Sequence, residues 1–78
     1  MKITNYFDLV RKRPDRAGIR EEWIERVIAA PEAEFVQAYG RIRRWAKIEE
    51  ANGKYLRIVL LEDAETVHNA FFDRTYKP

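Results

Sequence analysis

Residues 47–61 read KIEEANGKYLRIVLL. Tyr55–Leu61 has the strongest strand pattern in the chain, being rich in aliphatic and β-branched side chains and free of proline. Asn52-Gly53 precedes it. Both residues tolerate positive φ, which is what the tight turn of a β-hairpin demands. Arg41–Glu49 on the other side is the expected partner strand. A two-residue turn places Ala51 opposite Lys54, Lys47 opposite Ile58 and Trp45 opposite Leu60.

Downstream, Glu62–Glu65 reads as a second turn and Thr66–Phe72 as a further strand. If Asp63-Ala64 is again a two-residue corner, Leu60 faces Val67, Leu56 faces Phe71 and Val59 faces His68. Ala64 suits such a corner poorly, since its Cβ resists positive φ. Upstream, Glu34–Tyr39 reads as a strand closed by Gly40. Ile19–Ala30 is the clearest helix: Trp23, Ile24, Val27 and Ile28 form one apolar stripe, Glu21 and Glu22 favour the positive end of the helix dipole, and Pro31 stops it. With Arg20 as N-cap, Ile19 and Ile24 occupy the staple positions. Residues 5–12 form a shorter helix, capped by Thr4 or Asn5 and ended before Pro14. Lys2–Thr4 has room for a short strand.

Helix, helix and meander give an α+β fold, with two N-terminal helices packed on a three- or four-stranded antiparallel sheet. A chain of 78 residues fills one domain, residues 1–78, and cannot supply two hydrophobic cores. The expected registers send Trp45, Leu56, Ile58, Leu60, Val67 and Phe71 to the helices. They leave Arg44, Tyr55, Arg57, Val59 and His68 on the opposite face, beside Ile42, Ala46, Ile48, Ala70 and Phe72. That second face is amphipathic. Three explanations stay open: cover by the first helix, cover by a twofold partner, or a groove for an anionic ligand.

Composition removes many chemistries. With no cysteine and no serine, thiol and serine nucleophiles and disulfides are excluded, and the missing cysteine fits a reducing compartment such as the cytoplasm. One histidine cannot build a His-rich metal site, so no metal or other cofactor is expected. No uncharged apolar run exceeds that of Ile58–Leu61, far short of the roughly 20 residues of a membrane span. Net charge is only +2, but residues 41–57 carry six basic and two acidic side chains. A concentration of that kind favours a polyanion or an acidic partner.

His68 is the only side chain whose ordinary pKa lies near neutrality. With Arg44 and Arg57 on the same face, it forms the candidate catalytic set: His68 moves a proton at a ribose hydroxyl or leaving oxygen, and the arginines stabilise phosphoryl charge. Tyr55 is placed to stack on a base or hold a ribose. Arg11, Lys12 and Arg13, at the end of the first helix, are candidate phosphate contacts, and basic residues also suit a helix C-terminus.

The stretch RAGIREEWIERVIAAP resembles the opening of small bacterial proteins of the DUF4258 type, and GKYLRIVLLEDAETVHNAFFDR resembles their closing hairpin. These proteins are suspected relatives of BrnT-like and RelE-like toxins. The resemblance spans about residues 5–75 and implies a small cytoplasmic toxin-like protein that binds or cuts RNA, with an antitoxin-like protein as partner. It brings only Arg57 and His68, and more weakly Arg44, into suggestive positions. Relatives often carry a histidine in the first helix, where this chain reads YFDLVRKR. The alternative reading is a non-enzymatic interaction module, or a homodimer formed through the mixed sheet face.

Overall fold

A computed structural model describes all residues, 1–78. The elements run α1 (Asn5–Val10), α2 (Glu21–Ala29), β1 (Ala33–Val36), β2 (Ile42–Ile48), a single 3-10 turn (Glu49–Ala51), β3 (Lys54–Leu60) and β4 (Val67–Phe72). The strands form one antiparallel sheet in the order β1-β2-β3-β4, and both helices lie on the same face. The fold is α+β, with the four-stranded alternative realised. No helix is long and apolar enough to cross a membrane.

Local chemistry accounts for the helix ends. Thr4, in extended conformation, caps α1 by accepting the Phe7 N–H at 3.1 Å. Arg20 is the N-cap of α2 and makes no side-chain bond there, as expected of arginine. Phe7 and Val10 from α1 meet Trp23, Ile24 and Val27 from α2 over Leu56, Ile58, Leu60, Val67 and Ala70 of the sheet. Each fully buried aliphatic side chain contributes about 1.5–3 kcal/mol.

The register of β2 differs from the expected one. Ile48 pairs with Lys54, so Trp45 lies opposite Arg57 and Lys47 opposite Tyr55. Asn52 and Gly53 do take positive φ, 59° and 71°, but Asn52 caps the 3-10 turn and Gly53 N–H closes on Ile48 C=O at 3.0 Å. The link is therefore longer than two residues, and the offset of three turns β2 over. The energetic reason lies in β2 itself. Ile42, Ala46 and Ile48 share one side, and Ile48 is completely buried. The expected register would have buried Arg43 and Lys47 beside Trp45, at a desolvation cost that aliphatic side chains avoid.

The β3–β4 corner begins as expected, with Leu60 opposite Val67. Ala64 adopts φ 59°, and Asp63 holds the corner by accepting the N–H groups of Glu65 and Thr66. A bulge then follows: Val59 pairs with Asn69, not His68, and Leu56 with Phe72, not Phe71. The extra residue sends Ala70 and Phe72 to the helix side and Phe71 to the opposite face.

Candidate nucleic-acid interface

The face of the sheet away from the helices is laid out by the two observed registers. Trp45, Arg57 and Phe71 form one row across β2, β3 and β4. Phe35, Arg43, Val59 and Asn69 form the next row toward the β1 end. Lys47 and Tyr55 lie on the other side of the first row. Basic and aromatic side chains thus interleave.

Arg57 is the centre. Its guanidinium carbon lies 4.6 Å from the Phe71 ring centroid and 5.9 Å from that of Trp45. Arg16, from the turn between the helices, reaches the same ring at 5.5 Å. Arg43 sits diagonally from Arg57, close enough on a sheet for long side chains to interact. Burial, then the Arg43 charge, pushes Arg57 below its ordinary pKa, while Asp73 opposes the shift. Even so, guanidinium remains charged at any physiological pH.

One buried carboxylate serves this cluster. Asp73 Oδ2 accepts from Trp45 Nε1 at 3.0 Å and from Arg57 Nη1 at 3.4 Å. Its Oδ1 accepts from the Thr75 N–H and hydroxyl. Burial pushes the Asp73 carboxyl up, but the bonds from Thr75 and Trp45 and the Arg57 charge outweigh it, and the pKa falls to about 2. Asp73 starts the C-terminal tail, which lays Tyr76 on Trp45 at 5.2 Å and 19° and against Tyr55 at 4.9 Å.

The arginines keep donors to spare. Nε of Arg16, Arg43 and Arg57, and Nη1 of Arg16, are shielded from solvent and find no hydrogen-bond partner within the chain. Asp15 approaches Arg16 only to 3.6 Å, and its own side chain is largely exposed. Buried donors without acceptors are uncommon, and each calls for an explanation. The nitrogens that an anion on this face can reach are the others, Nη2 of Arg16 and Arg57 and both Nη of Arg43, which are neither shielded nor bonded within the chain.

Of the residues expected from the sequence, Arg57 and Tyr55 lie together on this face. Arg44 does not join them. It is on the helix face, where Nη1 donates to Ile28 C=O at 3.0 Å and Nε to Glu34 at 2.7 Å, so it caps the end of α2. His68, at the bulge, packs against α1. Its ring stacks on Tyr6 at 4.9 Å, and Nδ1 lies 3.1 Å from Thr4 Oγ1. The Thr4 oxygen already accepts from Phe7, so its proton is free to bond a neutral Nδ1. Burial, then Arg41, lowers the His68 pKa. The expectation that Arg44 shares a face with Arg57 is thus overturned by the β2 offset, and His68 sits at the β4 bulge outside the row of Arg57.

Arg11 pairs with Asp8 at 2.9 Å. Arg11 and Lys12 line a cleft of about 460 Å³ with Arg16, Phe7 and Glu21. Arg13 is exposed, and its carbonyl accepts from Arg16 and Ala17. The sequence pattern puts Arg16 only in the basic run that follows Arg11, Lys12 and Arg13, gives Arg43 no role, and assigns Trp45 and Phe71 to the helix face, whereas Trp45 is buried on the opposite one. The available signal was the run Arg43-Arg44-Trp45-Ala46-Lys47, whose odd positions are all basic or aromatic. No group of acidic, histidine or cysteine side chains is arranged to hold a metal ion. Comparison with protein-family models, with curated proteins and with solved structures returns no match to this chain.

Proposed function

We propose that the chain binds single-stranded RNA on the open face of its sheet, through Arg16, Arg43 and Arg57 to phosphates and through the neighbouring aromatic rings to bases. The observation that carries this reading is the set of unbonded guanidinium nitrogens beside Phe71 and Trp45. Sheet faces of this composition suit unpaired strands, because splayed bases stack on rings and on guanidinium planes while the backbone follows the charge. A duplex hides the flat faces of its bases and gains less. Cleavage is no part of the proposal, since His68 is engaged by Tyr6 and Thr4 and Arg57 by Asp73, with no contact between the two.

The test is fluorescence anisotropy with a labelled 12-nucleotide RNA, its duplex form and the DNA strand of the same sequence. Three phosphate contacts give a log–log salt slope of about −2 for a single strand, at about 0.7 per contact. Arg43→Gln shortens that slope by about 0.7. The RNA strand binds more tightly than its duplex. No binding at 50 mM salt, equal affinity for the duplex, or a slope untouched by Arg43→Gln overturns the proposal. Tighter binding to the DNA strand than to RNA would replace RNA with DNA as the ligand.

A further inference from the structure

The two edges of the sheet are finished differently. At the β4 edge, Ile3 forms a bridge to Val67, Thr4 N–H donates to Val67 C=O at 3.0 Å, and Val67 N–H donates to Lys2 C=O at 2.9 Å. The bulge at His68 and the packing of α1 on β4 complete the cover. Such devices stop a sheet edge from pairing with another chain. The β1 edge has none of them. Ala33–Val36 contains no proline or lysine and pairs with β2 in unbroken register, the one irregularity lying just before it, where Glu32 N–H donates to the C=O of Trp45, the partner of Ala33, at 2.8 Å. Phe35 and Val36 are each 56% exposed, on opposite faces of the strand, and Tyr39 just beyond is 59% exposed.

The main chain shows how the edge can be filled. Gln37 N–H donates to Arg41 C=O at 2.8 Å, so Gln37 faces β2. By alternation Phe35 and Ala33 do too, which leaves the N–H and C=O groups of Glu34 and Val36 directed away from the sheet. We propose that this edge pairs with the same edge of a second copy, antiparallel, about a twofold axis beside Phe35. Glu34 of each copy exchanges both main-chain bonds with Val36 of the other, and the two Phe35 rings meet across the axis. A twofold contact must be complementary to itself, and this register satisfies that condition with every outward group matched.

Charge supports the second copy as the occupant. Glu34 is the only charged side chain in β1, and Arg44 Nε holds its carboxylate at 2.7 Å, so the copies bring no uncompensated like charges together. Phe35 belongs to the same open face as Arg43, and pairing therefore joins the two open faces into one eight-stranded surface. The pairing itself does not depend on RNA. With four residues a side, the contact belongs to the small, weak class of interfaces, so association is expected only toward the upper end of the concentration range.

Sedimentation equilibrium of the full chain between 5 and 500 µM, without nucleic acid, tests the inference. The weight-average mass is expected to rise toward twice that of the monomer. Phe35→Lys removes the ring at the axis and places two positive charges there. Val36→Pro removes an outward donor while leaving the bonds to β2 intact. Both variants are expected to remain monomeric at 500 µM with a melting temperature close to wild type at 5 µM. Leu9→Lys, which changes an exposed apolar residue on α1, leaves the dimer unaffected. A chain that stays monomeric at 500 µM overturns the proposal. So does a dimer that persists in both β1 variants, or one that Leu9→Lys abolishes. If Val36→Pro unfolds the chain, Phe35→Lys alone decides.

Discussion

The two faces of the sheet are built from alternate residues of the same strands and have opposite chemistry. On the helix side, Ile48, Leu56, Ile58 and Leu60 are fully buried, Arg44 spends its donors on a carbonyl and a carboxylate, and Lys54, at the strand end, lies over the Phe72 ring. On the open side, arginines lie over aromatic rings with donors left unbonded. Where every polar group is matched, the surface serves the fold. Where donors outnumber acceptors, as among Arg16, Arg43 and Arg57, the surface keeps donors that the chain itself does not use. The contrast makes the two faces separable by experiment.

The sharpest separation comes from adjacent residues. Ile58→Ala on the helix side is expected to cost about 2–5 kcal/mol in urea unfolding, through lost burial and a residual cavity. Val59→Ala on the open side is expected to cost less, because it removes fewer carbon atoms and Val59, although buried, lies outside the cluster packed under the helices. Equal losses would erase the distinction between the faces.

Arg44→Met keeps much of the side-chain bulk and removes the bonds to Ile28 and Glu34. The orphaned Ile28 carbonyl makes a loss of about 1–3 kcal/mol the expected result, with RNA affinity unchanged. A fall in RNA affinity at constant fold would move Arg44 to the binding side of the comparison.

Asp73→Asn works in the other direction. It removes the carboxylate charge that now occupies Arg57 and loosens the tail from Trp45. Anisotropy should show tighter RNA binding, by severalfold, alongside a modest loss of stability. Weaker binding would mean that the tail assists the ligand instead of competing with it.

The smallest effects are those of pH. His68 has a folded pKa below its ordinary value of about 6.5, so the unfolded chain takes up its proton first. Its contribution is complete above about pH 6.5 and shrinks as pH falls toward the folded pKa. His68→Gln should flatten the stability profile in that window. Asp73 titrates at about 2 when folded, against about 3.9 for an unfolded aspartate, so its share is retained above pH 4 and lost between the two values. Asp73→Asn should flatten only that lower window.

Much of the fold is legible in the sequence because local signals settle it. Pro31, the Trp23–Ile28 stripe and the aliphatic run of β3 fix both the elements and the core positions of Leu56, Ile58, Leu60 and Val67. The site is less legible, because it depends on parity, which local signals do not determine. Asn52-Gly53 serves a two-residue hairpin and a 3-10 turn with a left-handed cap equally well, since both need positive φ at those residues. The choice between them is made by burial of Ile48 and Ala46 at a distance from the turn. The bulge at His68 has no sequence mark beyond its surroundings, where Thr4 and Tyr6 receive the ring. Arg57 and Tyr55 were found because β3 kept its expected orientation. Trp45 and Phe71 were missed because their strands did not.

The docking of Tyr76 on Trp45 has a practical consequence for anyone handling this protein. Residues appended after Pro78 would start two positions beyond the ring of Tyr76, which packs on Trp45 and Tyr55, so an affinity tag there would begin close to that aromatic contact. A tag rich in glutamate or aspartate would imitate the ligand, and one rich in histidine would add cations to it. Binding measured on such a fusion would report the tag as much as the protein, and complete removal of the extension should come before any titration.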